Sequence, residues 1–246
     1  MGRAGQIATL ACILLLSLSC SKTNPVDCFK NSGKVVVEKR EITSFTYLHM
    51  KNNVDVYLSF SPEYSVEVKA GENMIPGIKT SISGKKLTIS NENSCNWIRS
   101  YSSPIEVHLG VPVLDSVLYQ SSGNLSSVNQ LSGNSFKLDV EDGAGSINLW
   151  LNMHRSKINL HYGTTDLILR GHAHISQLFS GAYGPADLSQ LQTEISYVTN
   201  NSTNICRVQA DITLEVEIHN VGDVYYSGDP NTVALWATGS GELIKE

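Results

Sequence analysis

Cut into four blocks of twenty, residues 131–210 read LSGNSFKLDVEDGAGSINLW, LNMHRSKINLHYGTTDLILR, GHAHISQLFSGAYGPADLSQ and LQTEISYVTNNSTNICRVQA. Stacked this way, Leu138, Ile158, Leu178 and Val198 fall in one column, which extends at the same spacing to Leu118 and Ile218. A second, looser column holds Leu125, Ile147, Leu167, Leu188, Ile205 and Val224, each behind a small or acidic residue, and Gly123, Gly143, Gly163, Gly184 and Gly222 open the turns. Two apolar columns repeating every twenty residues describe a stacked β-solenoid, because each coil buries its inward side chains only against its neighbours.

Outward from that stretch the pattern changes. Before about residue 110 the chain alternates as strands do, at Val35–Val37, Val54–Leu58, Ser65–Val68, Ile78–Ile82, Leu87–Ile89 and Ile105–Leu109, but shows no twenty-residue register. Ser61-Pro62-Glu63 and Ser83-Gly84-Lys85-Lys86 read as the turns of two hairpins. Residues 34–112 are expected to be irregular strands that start the stack and cap its open end, and 113–246 its regular coils, the last a shorter one around Trp236. Helical periodicity is nearly absent from the chain. The expected fold is all-β, a β-solenoid of about 20 residues per coil with an irregular N-terminal strand cap.

The N-terminus reads as an export signal. Arg3 precedes an apolar run from Ile7 to Leu18, too short to span a bilayer, so residues 1–19 are expected to be a signal peptide. Ser17-Leu18-Ser19-Cys20 resembles a bacterial lipobox, with Ser17 where an aliphatic residue is usual, and makes Cys20 the expected lipidation site. Residues 20–33 then serve as a polar tether, and acyl chains hold the protein to the membrane. Ser21-Lys22-Thr23-Asn24 carries none of the acids associated with surface export, which favours the periplasmic side of the outer membrane over the cell surface.

Of the five cysteines, Cys12 lies in the signal and Cys20 at the anchor. In an oxidising envelope, Cys28 and Cys95 are the expected disulfide, both lying outside the repeat, while Cys206 reads as a small buried apolar side chain. The formal charge of −5 argues against nucleic acid as a partner.

The Gly-Ser-Gly-like turns, Gly222-Asp223-Val224-Tyr225-Tyr226-Ser227-Gly228-Asp229-Pro230 and the terminal Gly239-Ser240-Gly241 resemble the putative auto-transporter adhesin, head GIN domain family over roughly residues 40–240. That resemblance implies a right-handed parallel β-helix in the envelope of a Gram-negative bacterium, and no established activity.

Few residues suggest chemistry. Asn134, His154, His174 and Glu194 stand twenty apart, a spacing that stacks two imidazoles and a carboxylate; the set reads as a solvated outer ladder rather than a metal site, and no metal or cofactor is expected. Parallel β-helices also serve as polysaccharide lyases, but Asp166, Asp187 and Asp223 each precede an inward apolar residue, where acids serve backbone hydrogen bonds. No nucleophile elbow, phosphate loop or Cys-x-x-Cys is present, and no enzyme is expected. Tyr162, Tyr183 and Tyr197 are the candidate binding residues, since aliphatic side chains already fill the inward columns and exposed rings stack on sugar faces. The expected role is adhesion to glycan or an envelope protein; the alternatives are a purely structural lipoprotein and a carbohydrate-active enzyme.

Overall fold

The computed structural model describes residues 31–93 and 105–246. The expected signal peptide, Cys20, Cys28 and Cys95 lie outside the described residues. No helix among the described residues is long and apolar enough to cross a membrane.

From Ser116 on, about six turns of roughly twenty residues climb a β-solenoid. Its first strands are β8 (Ser116–Ser121), β9 (Leu125–Ser127) and β10 (Leu131–Val140). Three fifteen-residue strands follow, β11 (Ser146–Leu160), β12 (Asp166–Ser180) and β13 (Ala186–Asn200). The stack ends with β14 (Cys206–Gln209), β15 (Thr213–Ile218), β16 (Val224–Ser227), β17 (Thr232–Ala237) and β18 (Leu243–Lys245).

The twenty-residue register holds where coils are equal and drifts where they are not. Leu138, Ile158, Leu178 and Val198 pair in line. At the ends the column passes through Val117 rather than Leu118, and through Val216 and Leu235 rather than Ile218. The second column likewise runs Leu125, Ile147, Leu167, Ala186, Cys206, Val224, so Ala186 and Cys206 hold the places expected for Leu188 and Ile205. An irregularity between Ile168 and Arg170 shifts the pairing there. Cys206 is a free, buried thiol inside this column, as its small apolar character suggests, and burial pushes its pKa up to about 11.

The first third of the chain joins the stack out of order. Strands β2 (Tyr47–Asn52) and β3 (Asp55–Phe60) form one coil, and β6 (Lys86–Asn91) and β7 (Glu106–Val111) another. Coil β2–β3 lies between coil β6–β7 and coil β8–β9, all parallel. Each wall of the solenoid is thus nine strands deep among the described residues, with the β2–β3 coil wedged between coils that follow it in the chain. Three antiparallel strands finish this end: β1 (Val35–Arg40), β4 (Ser65–Gly71) and β5 (Ile78–Ser83). β5 and β6 form the hairpin expected at Ser83–Lys86. The hairpin expected around Pro62 does not form, because β7 sits between β3 and β4 and pairs with both. The apolar faces of β3 and β4 meet a common neighbour, which their alternation alone does not identify.

Tyr119 closes the interior at the start of the regular coils. Fully buried, its hydroxyl donates to Gly123 O at 2.5 Å and accepts from Gly145 N at 3.1 Å, fastening two successive turns. Burial pushes its pKa up to about 12, so the phenol stays a donor throughout the ordinary pH range.

Candidate binding strip

Each coil bends at a corner and again at a turn, and these two edges carry the side chains singled out by the sequence. The ladder skips Asn134/His154, His154/His174 and His174/Glu194, which marks the corner midway along the long strands. The column is assembled as its spacing predicts. The imidazoles of His154 and His174 stack at 4.9 Å with planes 10° apart, and His174 Nδ1 lies 2.9 Å from Glu194 Oε1. No group of three or more His, Cys, Asp or Glu side chains among the described residues is placed to hold a metal ion.

Of the three turn acids singled out in the sequence, Asp187 and Asp223 answer to backbone and Asp166 does not among the described residues, while Asp55 and Asn124 do the same work on other coils. Asp55 Oδ1 accepts from Asn124 N at 2.7 Å, Asn124 Oδ1 from Ser146 N at 3.1 Å, and Asp223 Oδ1 from Glu242 N at 2.9 Å, so each ties one coil to the next. Asp187 Oδ1 is taken by the amide and hydroxyl of Ser189.

The tyrosines fall at the opposite edge. Tyr162 and Tyr183 occupy the turns that follow β11 and β12, with 68% and 70% of their surface exposed. Those turns are locked by backbone: Gly143 and Gly163 form a parallel bridge, Thr164 N donates to Gly143 O and Tyr183 N to Gly163 O, both at 2.8 Å. The two phenols therefore ride on neighbouring coils, whose strands lie ~4.8 Å apart. Gly163 sits at φ +106°, with a Cβ there falling 2.1 Å from Gly143 O, so the turn accepts no side chain.

Tyr197 stands around the edge from these two, on the outer face of the C-terminal half of β13. It borders an open groove of about 370 Å3 whose other walls are Lys157, Asn159, His161, Gln177, Phe179 and Thr199. His161 bridges turn and groove, its ring 6.5 Å from Tyr162 and 5.7 Å from Phe179. A strip from Tyr162 through His161 and Phe179 to Tyr197 results, with Tyr183 on the adjoining turn. Asp139 fixes the polar side of the groove, accepting from Asn159 Nδ2 at 2.7 Å and from Lys137 Nζ at 2.6 Å. Burial raises the Asp139 carboxyl, but the hydrogen bonds from Lys137 and Asn159 outweigh it and hold the pKa below the usual carboxylate range.

His161 and Phe179 complete the strip although neither falls in an apolar column of the twenty-residue repeat. Leu178 points inward, so Phe179 must point out, and a bulky ring facing solvent beside Tyr197 is visible from alternation alone. Trp150 and Tyr225 do not join the strip. They lie on the face before the corner, under Arg170 at 5.5 Å and Arg207 at 5.1 Å.

Planar rings with amide, hydroxyl and ammonium groups between them suit a ligand that has apolar faces and many hydroxyls. The groove is open and shallow, and suits surface binding.

A chain of two-walled coils stacked in this way is a β-solenoid. The chain belongs to the putative auto-transporter adhesin, head GIN domain family, whose model matches residues 44–230. Its fold is similar to a putative adhesin from Bacteroides fragilis at TM-score 0.80 and 16% identity, over 87% of this chain and 97% of that one. It is also similar to a putative lipid binding protein from Parabacteroides distasonis, at TM-score 0.68 and 14% identity over 88% and 98% of the two chains. A putative adhesin from the same organism matches at TM-score 0.65 and 18% identity, over 87% and 98%. No curated protein matches the chain. Family and fold support an adhesion-type role in the cell envelope or at its surface.

Proposed function

We propose that the chain is a lipoprotein, anchored by Cys20 and the tether that follows it, whose solenoid holds the Tyr162–Tyr183 turns and the Tyr197 groove rigid for binding glycan. The observation that carries this reading is the pair of exposed phenols on adjacent turns, joined by the Tyr183 N to Gly163 O hydrogen bond, with the Tyr162 turn held likewise to Gly143. Preorganised rings lose little entropy when a ligand binds, so a weak stacking contact repeated along the strip is enough for adhesion. In this reading the domain faces the periplasm, since Ser21-Lys22-Thr23-Asn24, directly after Cys20, contains no acid.

The anchor is tested by labelling cells with a clickable palmitate analogue. Label on the full chain that disappears in Cys20→Ser supports it; equal label on both removes it. Protease shaving of intact cells tests the side, and loss of the domain would reassign it to the surface. For the strip, full-length protein and its Tyr162→Ala/Tyr183→Ala variant are compared for retention on immobilised envelope polysaccharide. Retention lost only in the variant supports the strip, and equal retention rejects it.

A further inference from the structure

The two ends of the solenoid are finished differently. At the N-terminal end the outermost strands, β1 and β5, are antiparallel additions; β1 opens on exposed Val35, Val36 and Val37 but closes on Glu38, Lys39 and Arg40, and β5 carries Lys79, charges that discourage further strand pairing. The C-terminal end has no antiparallel addition among the described residues, and its β17 edge bears no charge, Lys245 of β18 being the one charged side chain on its two outermost strands. β17 pairs only with β15, and β18 only with β16, among the described residues.

β17 reads Thr-Val-Ala-Leu-Trp-Ala, without a charge or a proline. Its register sets Val233, Leu235 and Ala237 against Leu214, Val216 and Ile218, which are fully buried inward side chains. Val233 and Leu235 are therefore core residues of the last coil, yet 45% and 46% of their surface is open, and Trp236 stands 55% exposed beside them. An uncharged, apolar edge strand of this kind is a template for another strand.

We infer that this end pairs with the same end of a second copy of the chain, β17 against β17 antiparallel, through a two-fold axis at Leu235. The sequence of the strand is self-complementary in that register. Leu235 meets its own counterpart, Val233 meets Ala237, and Trp236 meets Ala234, so inward residues oppose inward ones and each large side chain opposes a small one. A two-fold axis perpendicular to this wall crosses the coil and brings β18 against β18 on the other wall. With the opposite end capped, the contact closes as a dimer and does not propagate into a fibre.

The end face is modest. Walls of six residues are ~20 Å long, and two sheets ~10 Å apart with their side chains give roughly 400–500 Å2 per copy, about 800–1,000 Å2 in all, the low end for a specific interface. The dimer is thus expected to be weak and concentration-dependent.

Two measurements on the full chain test the inference. Sedimentation velocity in density-matched detergent is expected to show the mass doubling as concentration rises through the micromolar range. Leu235→Lys should lower the dimer-to-monomer ratio at least tenfold with the far-UV strand signal unchanged, since that side chain is half open in a single copy. In cells under oxidising conditions, Leu235→Cys should give a disulfide-linked dimer above the wild-type background. Paired Cα atoms in an antiparallel ladder lie ~4.5–5.5 Å apart, within disulfide reach. Val221→Cys, exposed but off the edge, should not. A monomer at every concentration, species larger than a dimer, a dimer indifferent to Leu235→Lys, or equal cross-linking by Val221→Cys would each overturn it.

Discussion

Replacing Gly163 by alanine tests whether the turns that carry the tyrosines are held by backbone contact between coils. The φ of +106° is one that L-residues rarely adopt, which costs about 1–3 kcal/mol. The added Cβ would also lie 2.1 Å from Gly143 O and 2.7 Å from Gly143 N, all rigid backbone. Relief requires the turns to separate, breaking the Gly143–Gly163 bridge and straining the bonds from Thr164 and Tyr183, at ~1 kcal/mol each. The sum is about 3–5 kcal/mol. At roughly 2–4 °C per kcal/mol for a domain of this size, the melting midpoint should fall by about 6–20 °C. Gly84 supplies the control: its φ is +60° but no atom lies within 4 Å of its Cβ position, so Gly84→Ala costs only the left-handed backbone term of about 1–2 kcal/mol. Thermal unfolding followed by circular dichroism at the strand band compares the two. Equal losses for Gly163→Ala and Gly84→Ala would refute the claim that inter-coil contact holds these turns.

Three further outcomes are expected. Tyr119→Phe leaves the buried Gly123 carbonyl without its donor and should cost about 1–3 kcal/mol in urea unfolding, with the denaturant slope unchanged; a midpoint equal to wild type would show that the hydroxyl fastens nothing. Glu106 is raised by burial, but hydrogen bonds from His108 and Lys69 more than offset this and leave its pKa below the usual value, as at Asp139. The stability these carboxylates add is present above the ordinary carboxylate pKa and is lost as pH falls through the depressed folded values, so midpoints should drop below pH ~4, and less steeply in Glu106→Gln. Cys206, buried and raised to about 11, should resist iodoacetamide at pH 8 until the chain unfolds, as peptide mass mapping would report; prompt native labelling would place it outside the core column.

How much of this was legible in the sequence depends on where spatial neighbours sit along the chain. From Phe136 to Val198 each coil pairs with the next at a spacing of twenty, save Leu167–Ala186 and Ile168–Asp187 at nineteen, so self-alignment finds the first column directly. Val117 to Leu138 is twenty-one residues, Val198 to Val216 eighteen and Val216 to Leu235 nineteen, which is why Leu118 and Ile218 seemed to continue a column they do not occupy. Earlier still, Tyr47 pairs with Lys86 and with Ser116, thirty-nine and sixty-nine residues away. No fixed period survives a coil inserted between two later ones. The exposed tyrosines were legible because the inward columns were already full. Joining Tyr162 to Tyr197 required His161 and Phe179, whose meeting depends on the turn's bend and not on spacing.

Glycan binding by the ringed edge of the solenoid, proposed above, can be read on a glycan array probed with the full-length protein in detergent. Reproducible binding to one glycan class is expected, reduced at least tenfold in Tyr162→Ala/Tyr183→Ala and unchanged in Trp150→Ala, whose ring lies on the other face. Binding that survives the tyrosine variant, or an array that stays empty while the protein remains folded, would contradict it.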